Sequence, residues 1–153
     1  MRLKLSNGVD YIEEEGILRF PNSAVAVCVS DDGHLLLVRQ FRQLHQRETL
    51  EIPGGRQEGN ESEIENAARE LLEEAGVRGT RPELIASVDL DFSASAHVTH
   101  VVKFHAVEEG CEDGRFETVS VSLKRAMQMI AEGEITHAPT IIAITWEVLG
   151  WKA

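Results

Sequence analysis

Residues 60–76 constrain the fold more than any other segment of the chain. Ile64, Ala67, Ala68, Leu71, Leu72 and Ala75 recur at helical spacing and draw one apolar stripe. Such a stripe needs a second layer to bury it, so the spacing predicts a helix packed on a sheet. Asn60 and Glu63 resemble a capping box, and Glu61 and Glu63 sit at the positive end of the helix dipole. Gly76 follows the last periodic residue and predicts a C-terminal cap. Glu70, Glu73 and Glu74 stand at i, i+3 and i+4, so they share a face. At about 100° per residue, that face lies roughly 130° around from the apolar stripe. The stripe can pack on a sheet while three carboxylates converge on the other side.

The flanking segments supply the sheet. Residues 10–19 read as a strand or extended lead-in, and residues 23–30 alternate small and β-branched side chains as a strand does. Asp31-Asp32-Gly33-His34 is a turn signal, so residues 34–40 are expected to return as the second strand of a hairpin. Residues 49–52 form a short strand stopped by Pro53-Gly54-Gly55. Residues 84–91, 97–106 and 116–121 read as further strands, and residues 123–131 and 140–151 as helices. The order of strands, helix, strands and helices predicts an α/β or α+β fold with a mixed sheet between helices.

A length of 153 residues fits one domain spanning the chain, 1–153, with enough surface to bury a core. No apolar run is long enough for a membrane span, and residues 1–10 lack the apolar core of a secretory signal. Cys28 and Cys111 make neither a disulfide framework nor a zinc site, and the cytoplasm is the default compartment. The formal net charge of −11 disfavours a nucleic acid polymer as partner. It admits a small anionic substrate if a divalent cation mediates; solubility alone also accounts for such a charge.

Three glutamates on one helical face repel one another unless a cation sits among them. Hard oxygen donors of this kind suit Mg²⁺, with Mn²⁺ as a substitute. Arg69 could instead pair with a neighbouring carboxylate, and many glutamate-rich faces are only solvated surface. The wider spacing separates these readings. Gly55, Glu61, Arg69-Glu70-Leu71, Glu73-Glu74 and Gly76-Val77 span residues 55–77, and this segment resembles the Nudix box at every defined position.

The resemblance implies a Nudix-type α/β/α sandwich and hydrolysis of a nucleoside diphosphate linked to another moiety. By position, Glu70, Glu73 and Glu74 would be the catalytic metal ligands, joined by the backbone carbonyl of Gly54. Glu61 and Arg69 would orient the helix and its carboxylates, and Gly55 and Gly76 would permit the turns at its ends. Residues 37–42 (Leu-Val-Arg-Gln-Phe-Arg) and 50–55 (Leu-Glu-Ile-Pro-Gly-Gly) look like the ADP-ribose pyrophosphatase branch, as does Glu132-Gly133-Glu134-Ile135 before the last helix. By the same similarity, Arg42, Arg56 and Glu51 are candidates for substrate contact, the arginines because their fork matches phosphate oxygens. In related enzymes a carboxylate on a late loop positions the attacking water. The matching loop here is residues 109–114, with Glu112 the first candidate and Asp113 the next. One departure is the stretch Asp91-Phe92-Ser93-Ala94-Ser95-Ala96-His97, where that branch usually carries a Ser-Pro-Gly-like segment. A homodimer is plausible from the resemblance. Other Nudix substrates, such as dinucleoside polyphosphates or oxidised nucleoside triphosphates, stay open, as does a nucleotide sensor without catalysis.

Overall fold

The computed structural model describes residues 1–5, 8–108 and 113–150. Strand β4 (Ser23–Cys28) explains the layering best. Its side chains alternate between two faces. Ala24, Ala26 and Cys28 join the cluster that holds Ala67 and Leu71 of helix α1 (Glu63–Ala75). Val25 and Val27 join the opposite cluster, with Ala126 and Met129 of α2 (Leu123–Ala131) and Ala143 and Ile144 of α3 (Ala138–Leu149). The strand is thus buried on both sides, between one helix and a pair. This is the α/β/α sandwich with mixed sheets expected above.

β4 runs parallel to β10 (Val98–Glu108), with Ser23 opposite Thr99, and β10 pairs antiparallel with β8 (Arg78–Asp89). On its other edge β4 takes β7 (Gly54–Arg56), giving the order β7-β4-β10-β8. A second sheet is antiparallel, with β5 (His34–Arg42) between β11 (Glu117–Ser122) and β6 (Arg47–Glu51). A third sheet joins β1 (Arg2–Lys4), β2 (Asp10–Ile12), β3 (Ile17–Arg19) and β9 (Ser95–Ala96).

Three local expectations are corrected. Residues 23–40 do not form a hairpin: β4 and β5 belong to different sheets and touch through one bridge, Val29 to Leu35. The turn at residues 31–33 is real, but non-local pairing with β10 and β11 outweighs the local partner. Strand β6 does end at Glu51, before Pro53 as expected, but Gly54 and Gly55 go on to make a further strand, β7, that was not expected. A Cβ on Gly54 would lie 2.6 Å from Val25 Cγ1, so only glycine lets β7 approach β4 this closely. The α1 cap is Ser62 with Glu65, not Asn60 with Glu63. Ser62 Oγ accepts from Glu65 N, and Glu65 accepts from Ser62 N at 2.8 Å. At the other end Gly76 closes the helix in the left-handed region, φ 68°, as expected.

Candidate active site

The loop before α1 is bound to the helix through Arg69. Its guanidinium donates to both carboxylate oxygens of Glu61, at 3.1 and 2.7 Å, and to the Arg56 carbonyl at 3.1 Å. Glu61 also accepts from Glu58 N at 2.7 Å, and Asn66 donates its side-chain amide to the same Arg56 carbonyl at 3.2 Å. The Arg69 hydrogen bonds hold the Glu61 carboxyl below its ordinary pKa. One arginine therefore fixes where β7 ends and α1 begins.

Arg69 also reaches Glu70, at 2.9 Å, and Glu73, at 3.4 Å. Glu70 and Glu74 are 8% and 5% exposed, so these two carboxylates are buried beside Ala67 and Leu71 rather than turned to the far side of the helix as expected. Glu70 packs against Gly55, where any Cβ would collide with its carboxylate. Glu74 accepts from Gly54 N at 3.0 Å and from Gln40 Nε2 at 3.3 and 3.4 Å. Glu73 stands apart, its side chain 42% exposed and its carboxylate 3.7 Å from Arg115. Among the described residues, no three His, Cys, Asp or Glu side chains are grouped tightly enough to hold a metal ion as they stand.

Burial raises the pKa of both inner glutamates. For Glu74 it is the largest cause; the Gly54 N–H opposes it, the Glu70 charge adds to it, and the result is about 7. For Glu70 burial again leads, and Arg69 offsets only part of it. Two neighbouring carboxylates, each penalised by burial and one by the charge of the other, are short of positive charge. Hard oxygen donors in that condition suit a divalent cation such as Mg²⁺.

A third buried carboxylate, Glu51, lies at the end of β6 and adds its charge at Glu74. Arg42 Nε donates to it at 2.8 Å and its Nη2 makes the second bond of a bidentate pair. Thr49 Oγ1 donates to it at 2.6 Å, and His137 Nδ1 lies 3.3 Å away. Burial opposes ionisation of Glu51, but Arg42, His137 and Thr49 together outweigh it and lower its pKa. Thr140 ties this group to α3: its hydroxyl accepts from Ile52 N at 3.0 Å and lies 2.9 Å from His137 Nδ1. Arg42, Glu51 and His137 line a cleft of about 820 Å³ that also includes Phe41, Leu44 and Arg47.

Arg56 is exposed and lies over the Phe20 ring, 5.4 Å from its centroid. His97, His100 and His105 are engaged separately: His97 with Ser23 and Thr99, His100 with Ser87, and His105 with Glu83. Glu112 lies outside the described residues. The segment that follows is anchored on the end of α1. Arg115 N donates to the Glu73 carbonyl at 2.9 Å and Phe116 N to the Glu74 carbonyl at 3.0 Å, with Gly114 close against residues 74–76.

Sequence reasoning did not single out Gln40, Thr49, His137 or Thr140. For Gln40 only the fold supplies the mark: it is 5% exposed while its neighbour Phe41 is 54% exposed, an inversion of the polarity normal in a strand. The other three are contacts between segments distant in sequence or on one strand face, and nothing local marks them.

The NUDIX domain family matches residues 20–142. The ADP-ribose pyrophosphatase of Bacillus subtilis (strain 168) is 29% identical over 136 residues, which cover 85% of this chain and 74% of that protein. The methanol dehydrogenase activator of Bacillus methanolicus is 27% identical over 150 residues, 94% of this chain and 80% of its own. Among solved structures, the crystal structure of an ADP compounds hydrolase has a TM-score of 0.75 at 22% identity, covering 97% of this chain and 82% of that one. That likeness is one of fold. With the family pattern extending from β3–β4 into α3, this chain belongs to the Nudix family of pyrophosphohydrolases.

Proposed function

We propose that the protein hydrolyses the diphosphate bond of a nucleoside diphosphate derivative, ADP-ribose or a related nucleotide sugar, with Mg²⁺, giving a nucleoside monophosphate and a sugar phosphate. Members of the family act on small nucleotides and generally use divalent metal ions. The observation that carries the reading is the pair of buried, charge-deficient carboxylates, Glu70 and Glu74, set against the Gly54–Gly55 backbone. Similarity to an ADP-ribose pyrophosphatase over most of the chain supports the substrate class.

Glu70 and Glu74 would hold the ion, with Glu73 and the Gly54 carbonyl completing the set; Mn²⁺ could replace Mg²⁺. The chemistry supplied by such an ion is neutralisation of charge on the diphosphate and acidification of water. Arg69 keeps the helix and the preceding loop in register, so the carboxylates enter the reaction already positioned. Arg42 is bonded to Glu51, feels the charge of Glu74 and lines the cleft, which supports its reading as a contact for a substrate phosphate. Arg56 offers a second guanidinium from the loop end. Glu112, with Asp113 next, would take the proton of the attacking water. The anchoring of residues 114–116 on α1 supports this choice of loop. The reading includes a cytoplasmic homodimer; Leu3 in the edge strand β1 and Leu5 just after it are exposed, which supports self-association.

The test is a hydrolysis screen with Mg²⁺ against ADP-ribose, other nucleotide sugars, dinucleoside polyphosphates and nucleoside triphosphates, with an EDTA control. Metal-dependent release of AMP and ribose 5-phosphate from ADP-ribose is expected. Turnover confined to another substrate class would overturn the nucleotide-sugar reading.

A further inference from the structure

We infer that Gln40 is a positioning residue for Glu74, holding its carboxylate with an uncharged donor so that the remaining lone pairs face a divalent cation. This rests on the reading of Glu74 as a metal ligand. Gln40 sits in β5 among Leu35, Leu37 and Val38, all fully buried, and is itself 5% exposed. A buried amide in such a run needs a partner. Its Nε2 lies 3.3 and 3.4 Å from the two Glu74 oxygens. An ionised carboxylate can only accept, so the nitrogen is the atom that faces it.

The second direct donor to Glu74 is Gly54 N, at 3.0 Å. Both donors are neutral, and they come from two different sheets, β5 and β7. An ionised carboxylate has about four lone-pair sites. A straddling amide and one backbone N–H occupy part of that capacity and leave the rest for a ligand. The nearby guanidinium of Arg42 is spent on Glu51. Glu70, in contrast, has Arg69 bonded to it at 2.9 Å.

The choice of an amide has a physical consequence. A lysine or arginine at position 40 would bind the Glu74 carboxylate more strongly, and would cancel the charge that attracts a metal ion. An amide fixes the rotamer of Glu74 without neutralising it. Outer partners of ligating carboxylates commonly act in this way. The burial of Gln40 next to an outward-turned Phe41 is then the structural trace of that task.

Two substitutions of similar volume separate positioning from simple packing. Mn²⁺ is titrated into the substrate-free full chain of the parent, Gln40→Met, Gln40→Lys and Glu74→Gln, with free Mn²⁺ read by electron paramagnetic resonance. Metal-free melting temperatures are measured beside it. Gln40→Met is expected to weaken Mn²⁺ binding roughly tenfold or more. Gln40→Lys is expected to weaken it at least as much, while melting no lower than Gln40→Met because it pairs with Glu74. A purely structural role would instead make affinity follow melting temperature, with lysine rescuing both. A folded Gln40→Met within twofold of the parent affinity, or a Gln40→Lys at parental affinity, overturns the inference. Should Gln40→Met not fold, Gln40→Lys decides by the same threshold. If Glu74→Gln binds Mn²⁺ as the parent does, the metal reading of Glu74 itself fails, a result distinct from failure at Gln40 alone.

Discussion

Glu51 and Glu74 are buried to nearly the same depth, 2% and 5% exposed, yet their pKa values move in opposite directions. Glu51 meets a bidentate guanidinium, a hydroxyl and an imidazole; Glu74 meets an amide and a backbone N–H. Burial raises both, so partners decide the outcome. Glu51 is a completed ion pair that shapes the wall of the cleft. Glu74 is left short of one positive charge, which is the condition of a site that takes its cation from outside the chain.

The largest expected effect comes from removing the unsatisfied member. Glu74→Gln should lower kcat at least ~100-fold, the scale for losing one key electrostatic group, with an unchanged circular dichroism spectrum. The same variant tests the charge argument without substrate. Between the ordinary glutamate value of 4.5 and about 7, folded Glu74 keeps a proton that the unfolded chain has released. Metal-free stability should therefore fall as pH rises through that window, and Glu74→Gln should flatten this limb. Glu51 behaves in the opposite sense, its stabilisation being lost as pH falls below the ordinary glutamate range. Denaturant midpoints measured from pH 4 to 8 would show whether the two limbs separate.

Breaking the satisfied member comes next. Arg42→Met leaves Glu51 buried without its main partner. Because Arg42 is itself partly exposed, a loss of about 2–3 kcal/mol is expected, below the range for fully buried pairs. Adding Glu51→Gln should recover part of it, since the uncompensated charge is then gone. Equal losses in the single and double variants, read from urea unfolding, would show that Glu51 does not need Arg42. The smallest effect serves as a control. Ser62→Ala removes the cap of the helix that carries Glu70 and Glu74 but touches neither. It should cost about 1 kcal/mol of stability and leave kcat unchanged.

The helix at residues 63–75, its Gly76 cap and its carboxylate face were legible in the sequence because they obey a local period. The same locality explains the errors. Asn60 and Ser62 are both good capping residues, and the choice fell to Ser62 once Glu61 was held by Arg69. The turn at Gly33 advertises a hairpin, but β4 takes β10 from more than seventy residues away. Gly54-Gly55 reads as an interruption until Val25 and Glu70 are brought against it, and then only glycine fits.

By itself, the sequence determined which residue types the site would have: spacing on one helix fixes which side chains share a face, whatever the helix packs on. It also determined family membership, through a pattern of residues over 55–77. Only the tertiary structure decided how each carboxylate is held and charged. Charge state depends on burial and on donors brought in by other strands, and Gln40, Gly54, Arg42 and His137 reach Glu74 and Glu51 through contacts that no local period records.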